Sequence, residues 1–432
     1  MQKISRSKTL FFSLLLLLFV YAIVEICSFT FFLIKERKRF SFSEFQALRH
    51  EVIASGALVP AWTALTTIQE SVRVIHPYTG YVNNPIRRPE FSEYGFPGET
   101  PVGAIRSDEK LIIGIFGGSF AEGFAERGKE ALLHELKQSP YFHEKEIAIY
   151  SLALSGYKQP QQLATLTYFL ALGVQFDIFV NIDGFNEIVI AEKNVTKDVF
   201  PLFPENWLAK IGNLNNPDML IMLGEISFLT AKRKSWARSF ETTPLRHSIC
   251  ANMMWRFHES RLMNAQLQKV LELETYRLKR QKNFGYVATG PSFHYETETD
   301  MYDALASVWQ RCSLQMHKIA EANDMLYFHF LQPNQYVPGS KIMKQEELTK
   351  AFAENQPYKA VVEVGYPYLR QKGNELRRAG VNFHDLTMIF SDNDNMLYAD
   401  NCCHLNEQGY RLIGSKIGQI VGEYYDKAEP GI

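Results

Sequence analysis

Neither sign of charge is in excess in this chain: 46 Lys and Arg stand against 47 Asp and Glu, a formal net charge of −1 over 432 residues. That balance gives no electrostatic footprint for nucleic acid, and no basic stripe with interleaved aromatics supplies one locally, so no nucleic-acid partner is expected. Cysteine is sparse, at five residues. Cys402-Cys403-His404 invites a metal reading, but no second Cys/His cluster offers the remaining ligands, and no metal is expected. No internal repeat or low-complexity tract stands out. No Ala-x-Ala-like cleavage site follows the apolar N-terminal run, which argues against a removed signal peptide.

What is present is globular: 46% of residues are hydrophobic and 22% charged, which excludes general disorder. The length suits two domains, or one with large insertions. Aromatics reach 13%, which fits thick apolar cores, a membrane-proximal surface or a cleft for apolar or sugar groups.

Leu10 to Ile34 is almost wholly apolar, and at helical rise its length is roughly 37 Å, enough to cross a bilayer with some tilt. Residues 1–39 therefore read as a cytoplasmic tail and a transmembrane anchor. Glu25 interrupts the run and is costly there unless neutral, paired or near an interface. Lys3, Arg6 and Lys8 precede the span while Lys35, Arg37, Lys38 and Arg39 follow it, a near tie under the positive-inside rule. A signal anchor leaves the bulk outside the cytoplasm, so a single-pass protein with an extracytoplasmic domain is the expectation.

Residues 40–108 combine a helical stretch, Phe42 to Ser55, with a turn-rich one, and read as a juxtamembrane lead-in packing on the main domain. Within it Tyr94-Gly95-Phe96 either covers part of a cleft or, by default, packs. From 109 to 432 strands and helices alternate. Buried strands are predicted up to Phe116, over Glu146 to Leu152, Asp177 to Ile182, Leu326 to Leu331 and Val381 to Asp385; helices are predicted over Pro160 to Leu172, Leu305 to Ala322 and Asn406 to Tyr424. This is an α/β domain, a three-layer α/β/α arrangement on a mainly parallel sheet of about five strands, whose carboxyl ends share one edge. Insertions fall at about 188–299, with a long charged helix over Trp255 to Lys282, and at 339–380; each is a lid, a substrate platform or bulk that completes the fold.

Four motifs fall on that edge. Ile112-Ile-Gly-Ile-Phe-Gly-Gly-Ser119 is a buried strand breaking sharply into a helix, so Ser119 is presented beside unpaired N–H groups. Ser151-Leu-Ala-Leu-Ser-Gly-Tyr157 ends a strand at Gly156. Asp183-Gly-Phe-Asn-Glu187 follows a third strand. Asp400-Asn-Cys-Cys-His404 lies just before the last helix.

In their order and placement these motifs resemble those of the SGNH, or GDSL-like, hydrolase family, discontinuously from about Leu111 to Gly422. The resemblance implies a flavodoxin-like SGNH fold and a serine esterase that needs no cofactor, with Ser119 as nucleophile, His404 as general base and an oxyanion hole from the N–H groups of Ser119 and Gly156 and the Asn186 side chain. The family usually reads Gly-Asp-Ser where this chain has Gly118, and an aspartate often stands where Glu187 does. Its acid usually lies three residues before the histidine, here Asn401, so Asp400 is the expected substitute. A tethered domain implies an O-acyl or O-acetyl ester on a glycan or lipid as substrate. An O-acyltransferase acting on an envelope glycan and a catalytically inactive binding protein are the alternatives.

Three readings remain local. Glu122, Glu126 and Glu130 recur at helical spacing and read as a solvated face. Asn194-Val-Thr196 matches a glycosylation acceptor. Cys27 lies in the span, leaving Cys250, Cys312, Cys402 and Cys403, whose connectivity the sequence does not give; a disulfide from Cys402 or Cys403 is expected to brace the histidine loop.

Overall fold

A computed structural model describes residues 6–54, 72–211, 217–280 and 286–428. In chain order the elements are α1 (Arg6–Glu36), α2 (Phe42–Ala54), β1 (Arg73–His76), β2 (Gly80–Asn83), β3 (Lys110–Gly117), α3 (Ser119–Arg127), α4 (Lys129–Leu136), β4 (Glu146–Ser151) and α5 (Gln161–Ala171). Then follow β5 (Ile178–Asp183), α6 (Phe185–Val195), α7 (Trp207–Ile211), α8 (Pro217–Glu241), α9 (Ile249–Arg280), α10 (Tyr286–Thr289), α11 (Glu298–Ala322), β6 (Leu326–Leu331), α12 (Gln345–Ala351), α13 (Pro357–Arg378), β7 (Asn382–Asp385) and α14 (Glu407–Ala428). Ser55 and Lys282, the outer ends of two expected helices, and Lys3 lie outside the described residues.

The chain forms two compact units, residues 1–65 with 213–283 and residues 66–212 with 284–432. The lead-in at 40–108 is thus divided between them. In the sheet unit five parallel strands run in the order β4-β3-β5-β6-β7, the expected α/β architecture. The inner strands β3, β5 and β6 are mostly apolar and buried because both faces are covered, whereas the edge strands β4 and β7 are only partly buried. Phe116, Phe179, Trp309, Tyr366 and Leu369 belong to the core on one face, beneath α5, α6, α11 and α13. Ile113, Ile115, Phe124, Leu132, Tyr410 and Ile417 belong to the core on the other, beneath α3, α4 and α14. The antiparallel hairpin β1–β2 lies in the turn-rich lead-in. Helix α11 begins at Glu298 rather than Leu305 because Thr297 and Asp300 cap it: Asp300 N–H donates to Thr297 Oγ1 at 3.2 Å and Thr297 N–H to Asp300 Oδ2 at 3.1 Å, the reciprocal pattern that satisfies orphan N–H groups. Tyr94 packs tilted and Phe96 edge-on against Phe169, with ring centroids 5.9 and 5.4 Å apart, which is a packing role.

In the other unit α1, α2, α8 and α9 pack around Phe32, Phe45, Phe240 and Trp255. Helix α1 holds one apolar segment, Leu10–Glu36, long enough to cross a membrane. The buried Arg49 pairs with Glu241 and donates to Asn252 Oδ1 at 2.6 Å; Arg233 pairs with Glu259 at 2.6 Å. These polar pairs sit between helices whose sequences lack a continuous apolar stripe.

Inside the sheet unit a buried carboxylate organises β5, β6 and α11. Asp183 Oδ1 accepts from Trp309 Nε1 at 2.7 Å and meets His329 Nε2 at 2.8 Å, while Oδ2 accepts from Asn181 at 2.7 Å. Ser313 Oγ lies 2.8 Å from His329 Nδ1, so serine, histidine and aspartate fall in line here too, wholly buried and out of reach of any substrate. Asp183→Ala leaves these donors without an acceptor and is expected to cost about 3–5 kcal/mol. Denaturant unfolding measures this; a loss below about 1 kcal/mol, the ordinary range for surface changes, would contradict it.

Candidate active site

The carboxyl ends of β3 and β5 meet closely. Gly117, at φ +144°, lies where a Cβ would fall 2.2 Å from Ile182 O, and a Cβ on Gly118 would fall 2.2 Å from Asn186 Nδ2 and 3.0 Å from Tyr157 O. Two side-chain-free residues therefore let the chain pass between the ends of the sheet and open α3 at Ser119. The same contact explains why the aspartate usual in the resembled family has no room at 118.

Ser119 Oγ lies 2.8 Å from His404 Nε2, and His404 Nδ1 lies 2.5 Å from Asp400 Oδ2. The other Asp400 oxygen accepts the N–H groups of Cys402, Cys403 and His404 at 2.9, 3.1 and 3.2 Å. One carboxylate thus winds the loop and orients the ring within it. Asn401, exposed at the position three before the histidine, offers its carbonyl to Tyr336 OH at 2.9 Å.

Burial alone raises the Asp400 carboxyl, but the hydrogen bond and charge of His404, with the Cys402 and His404 N–H groups, outweigh it and hold the pKa at about 2. For His404 burial pulls the imidazole down, and the Asp400 bond and charge reverse this, leaving it above its ordinary value.

Asn186 Nδ2 donates to Tyr157 O at 2.7 Å, which fixes its amide beside Gly118 with a second N–H on the same nitrogen. Gly156, at φ +83°, lies against Glu205: a Cβ there would fall 2.3 Å from Glu205 Oε2 and 2.6 Å from Tyr81 OH. Glu187 is buried and accepts from Gly184 N–H at 2.8 Å and from Gln159 N–H and Gln162 Nε2 at 3.0 Å each. It caps α6 and so holds Asn186 from behind.

Several expectations are corrected. Glu122 is not on a solvated face with Glu126 and Glu130: it accepts the Ser155 N–H at 2.8 Å, and burial pushes its carboxyl up. It also lines a cavity of about 570 Å³ with Arg88, Phe91 and Ser151, whose wall does not include Ser119. The expected disulfide is absent, since all five cysteines are free. Cys402 and Cys403 sulfurs stand 3.5 Å apart as neighbouring thiols. Cys402, Cys403 and His404 bring their ligand atoms within 4.8 Å of one another. Both His404 nitrogens are already engaged, which leaves two sulfurs where zinc takes three or four protein ligands. Asn194 is buried and donates to Phe203 O at 2.9 Å, so the folded chain does not present it for glycosylation.

The sequence reading missed the groups behind the histidine loop. After β6, at the same sheet edge, Asn334 Nδ2 donates to Cys402 O at 3.1 Å, Gln335 Nε2 to Asp400 O at 3.0 Å and Tyr336 OH to Asn401 O. A polar Gln332-Pro-Asn-Gln335 turn directly after a buried strand was the available signal. Also missed was Lys158, wholly buried, pulled down to about 7 by burial against the opposing charges of Glu187 and Glu205, and donating to Phe203 O at 2.6 Å.

Gly118→Asp introduces the aspartate usual in the resembled family and is expected to displace Asn186. The crowding is expected to cost about 1–3 kcal/mol of stability, as overpacking does; an unchanged denaturant unfolding midpoint would contradict this packing constraint.

No family model matches the chain, and no curated protein matches it. A solved structure, the lipase Lip_vut3 from a goat rumen metagenome, is similar at 10% sequence identity and a TM-score of 0.30, over 72% of this chain and 97% of that one. A likeness this distant assigns neither family nor activity.

Proposed function

We propose that the chain is a membrane-anchored serine esterase of the SGNH type. The observation that carries the reading is the unbroken line from Ser119 Oγ through His404 to Asp400. Ser119 Oγ attacks an ester carbonyl and passes its proton to His404 Nε2; the Asp400 carboxylate stabilises the imidazolium on the far nitrogen. We assign the oxyanion hole to the N–H groups of Ser119 and Gly156 and the second N–H of Asn186, donors that would meet the developing charge. His404 then protonates the leaving alkoxide, and water, activated by the same imidazole, hydrolyses the acyl-serine. No step calls on a metal or cofactor.

Helix α1 supports the second part of the reading. Its apolar segment anchors the chain in a bilayer, single-pass, with the esterase on the extracytoplasmic side. The substrate is then an O-acyl or O-acetyl ester carried by a glycan or lipid at the membrane surface.

The test is hydrolysis of p-nitrophenyl acetate by the full chain. Ser119→Ala and His404→Ala should fall to the background rate. Asp400→Asn should lose on the order of 10⁴-fold, while Asn401→Ala keeps its activity. His404 must be neutral to accept the serine proton, and Asp400 raises its pKa. The acid limb of kcat/KM is therefore expected above pH 6.5 in the native chain and at lower pH in Asp400→Asn. Equal rates in native protein and Ser119→Ala would overturn the proposal, as would an acid limb that Asp400→Asn leaves in place.

A further inference from the structure

Glu25, the one charge inside the apolar run of α1, is tied to the start of α9. Ile249 N–H donates to Glu25 Oε2 at 2.6 Å, and the Ser248 hydroxyl donates to the other oxygen. Three turns on, Glu36 pairs with Arg256 at 3.7 Å. Between them Phe32 is buried in the core that Trp255 shares. Helix α9 therefore starts level with Glu25 and runs beside α1 towards Glu36, which holds the α8–α9 connection, residues 242–248, against the apolar run itself.

Large apolar side chains are uncovered there. Leu245 is 56%, Met254 68% and Phe257 66% exposed. Arg246 and His247 stand exposed beside them, groups suited to anionic headgroups. The opposite end of the helix pair is also apolar, with Ile221 63% exposed. It lies about 30 Å from the connection at helical rise.

We propose that the α8–α9 connection is a second membrane element, dipping into the leaflet that α1 leaves, with Leu245 deepest, Met254 and Phe257 about 8 to 12 Å nearer the headgroups at helical rise, and Arg246 snorkelling towards the phosphates. The occupant is lipid because hydrogen bonds fix this tip to a segment whose own surroundings are lipid. The arrangement also accounts for Glu25: a carboxylate that is costly in hydrocarbon is satisfied by a helix N-terminus, which favours negative charge. The inference rests on reading α1 as an anchor.

The test places an environment-sensitive fluorescent amino acid at Phe19, Leu245, Phe257 or Ile221 of the full chain, in vesicles of phosphatidylcholine and phosphatidylglycerol with brominated acyl chains. Probes at 19, 245 and 257 are expected to lose much of their emission, since inserted groups lie at acyl-chain depth, and the probe at 221 to be unchanged. Quenching at 19 with 245 and 257 behaving like 221 would overturn the inference and leave the anchor standing. Shielding of 245 from brominated lipid that grows with protein density would assign the tip to a second copy instead. An unquenched probe at 19 would remove the anchor and the inference together.

Discussion

Where β3 and β5 end there is no room for a side chain, and the site is assembled around that shortage of space. A Cβ on Gly117 would strike the Ile182 carbonyl and one on Gly118 the Asn186 amide. Two adjacent parallel strands can thus release their chains into α3 and α6 almost in contact. The first residue of α3 is Ser119 and the second of α6 is Asn186. Gly118, the residue before the serine, lies against the Asn186 amide because it carries no side chain, and Glu187, capping α6 from within the core, keeps the amide there.

The histidine reaches this point by a different device. Its loop has little regular structure, and a single carboxylate replaces what a ladder would supply: one Asp400 oxygen gathers the N–H groups of Cys402, Cys403 and His404 and the other holds the ring. Asn334, Gln335 and Tyr336 grip the same loop through its carbonyls. Further back, the buried Lys341–Glu347 pair, 3.3 Å apart, binds the segment leading into it: Lys341 donates to Asn393 O and Asn395 O, and Glu347 accepts the N–H groups of Leu397 and Tyr398. The chain between β6 and β7 therefore contributes to the positioning of His404.

The inner strands β3, β5 and β6 were legible because each is a short buried run, and burial on both faces leaves little else such runs can be. Local signals set several boundaries, and one passed unread, the Thr297–Asp300 cap that starts α11 early. Contacts between residues far apart in the chain were not legible. Helical spacing placed Glu122 with Glu126 and Glu130, while its partner, the Ser155 N–H, lies on another loop. Nothing near Glu25 in the chain points to Ser248, 223 residues away. The choice between Asp400 and Asn401 also depended on three dimensions: a carboxylate four residues before the histidine reaches its Nδ1 only because three N–H groups wind the loop around the other oxygen. The cysteine expectation failed for a related reason, since the loop is braced by hydrogen bonds and its thiols stay unpaired.

A structure with two serine–histidine–aspartate lines, one sealed around Asp183 and one at the sheet edge, makes a clear demand on chemistry: only the second is open to a reagent. The most direct measurement is the mass and position of the adduct formed when the full chain is treated with a fluorophosphonate. The account predicts one adduct, on Ser119, that disappears in His404→Ala because the imidazole no longer takes the serine proton. An unmodified chain, or an adduct on another serine that survives Ser119→Ala, would contradict it.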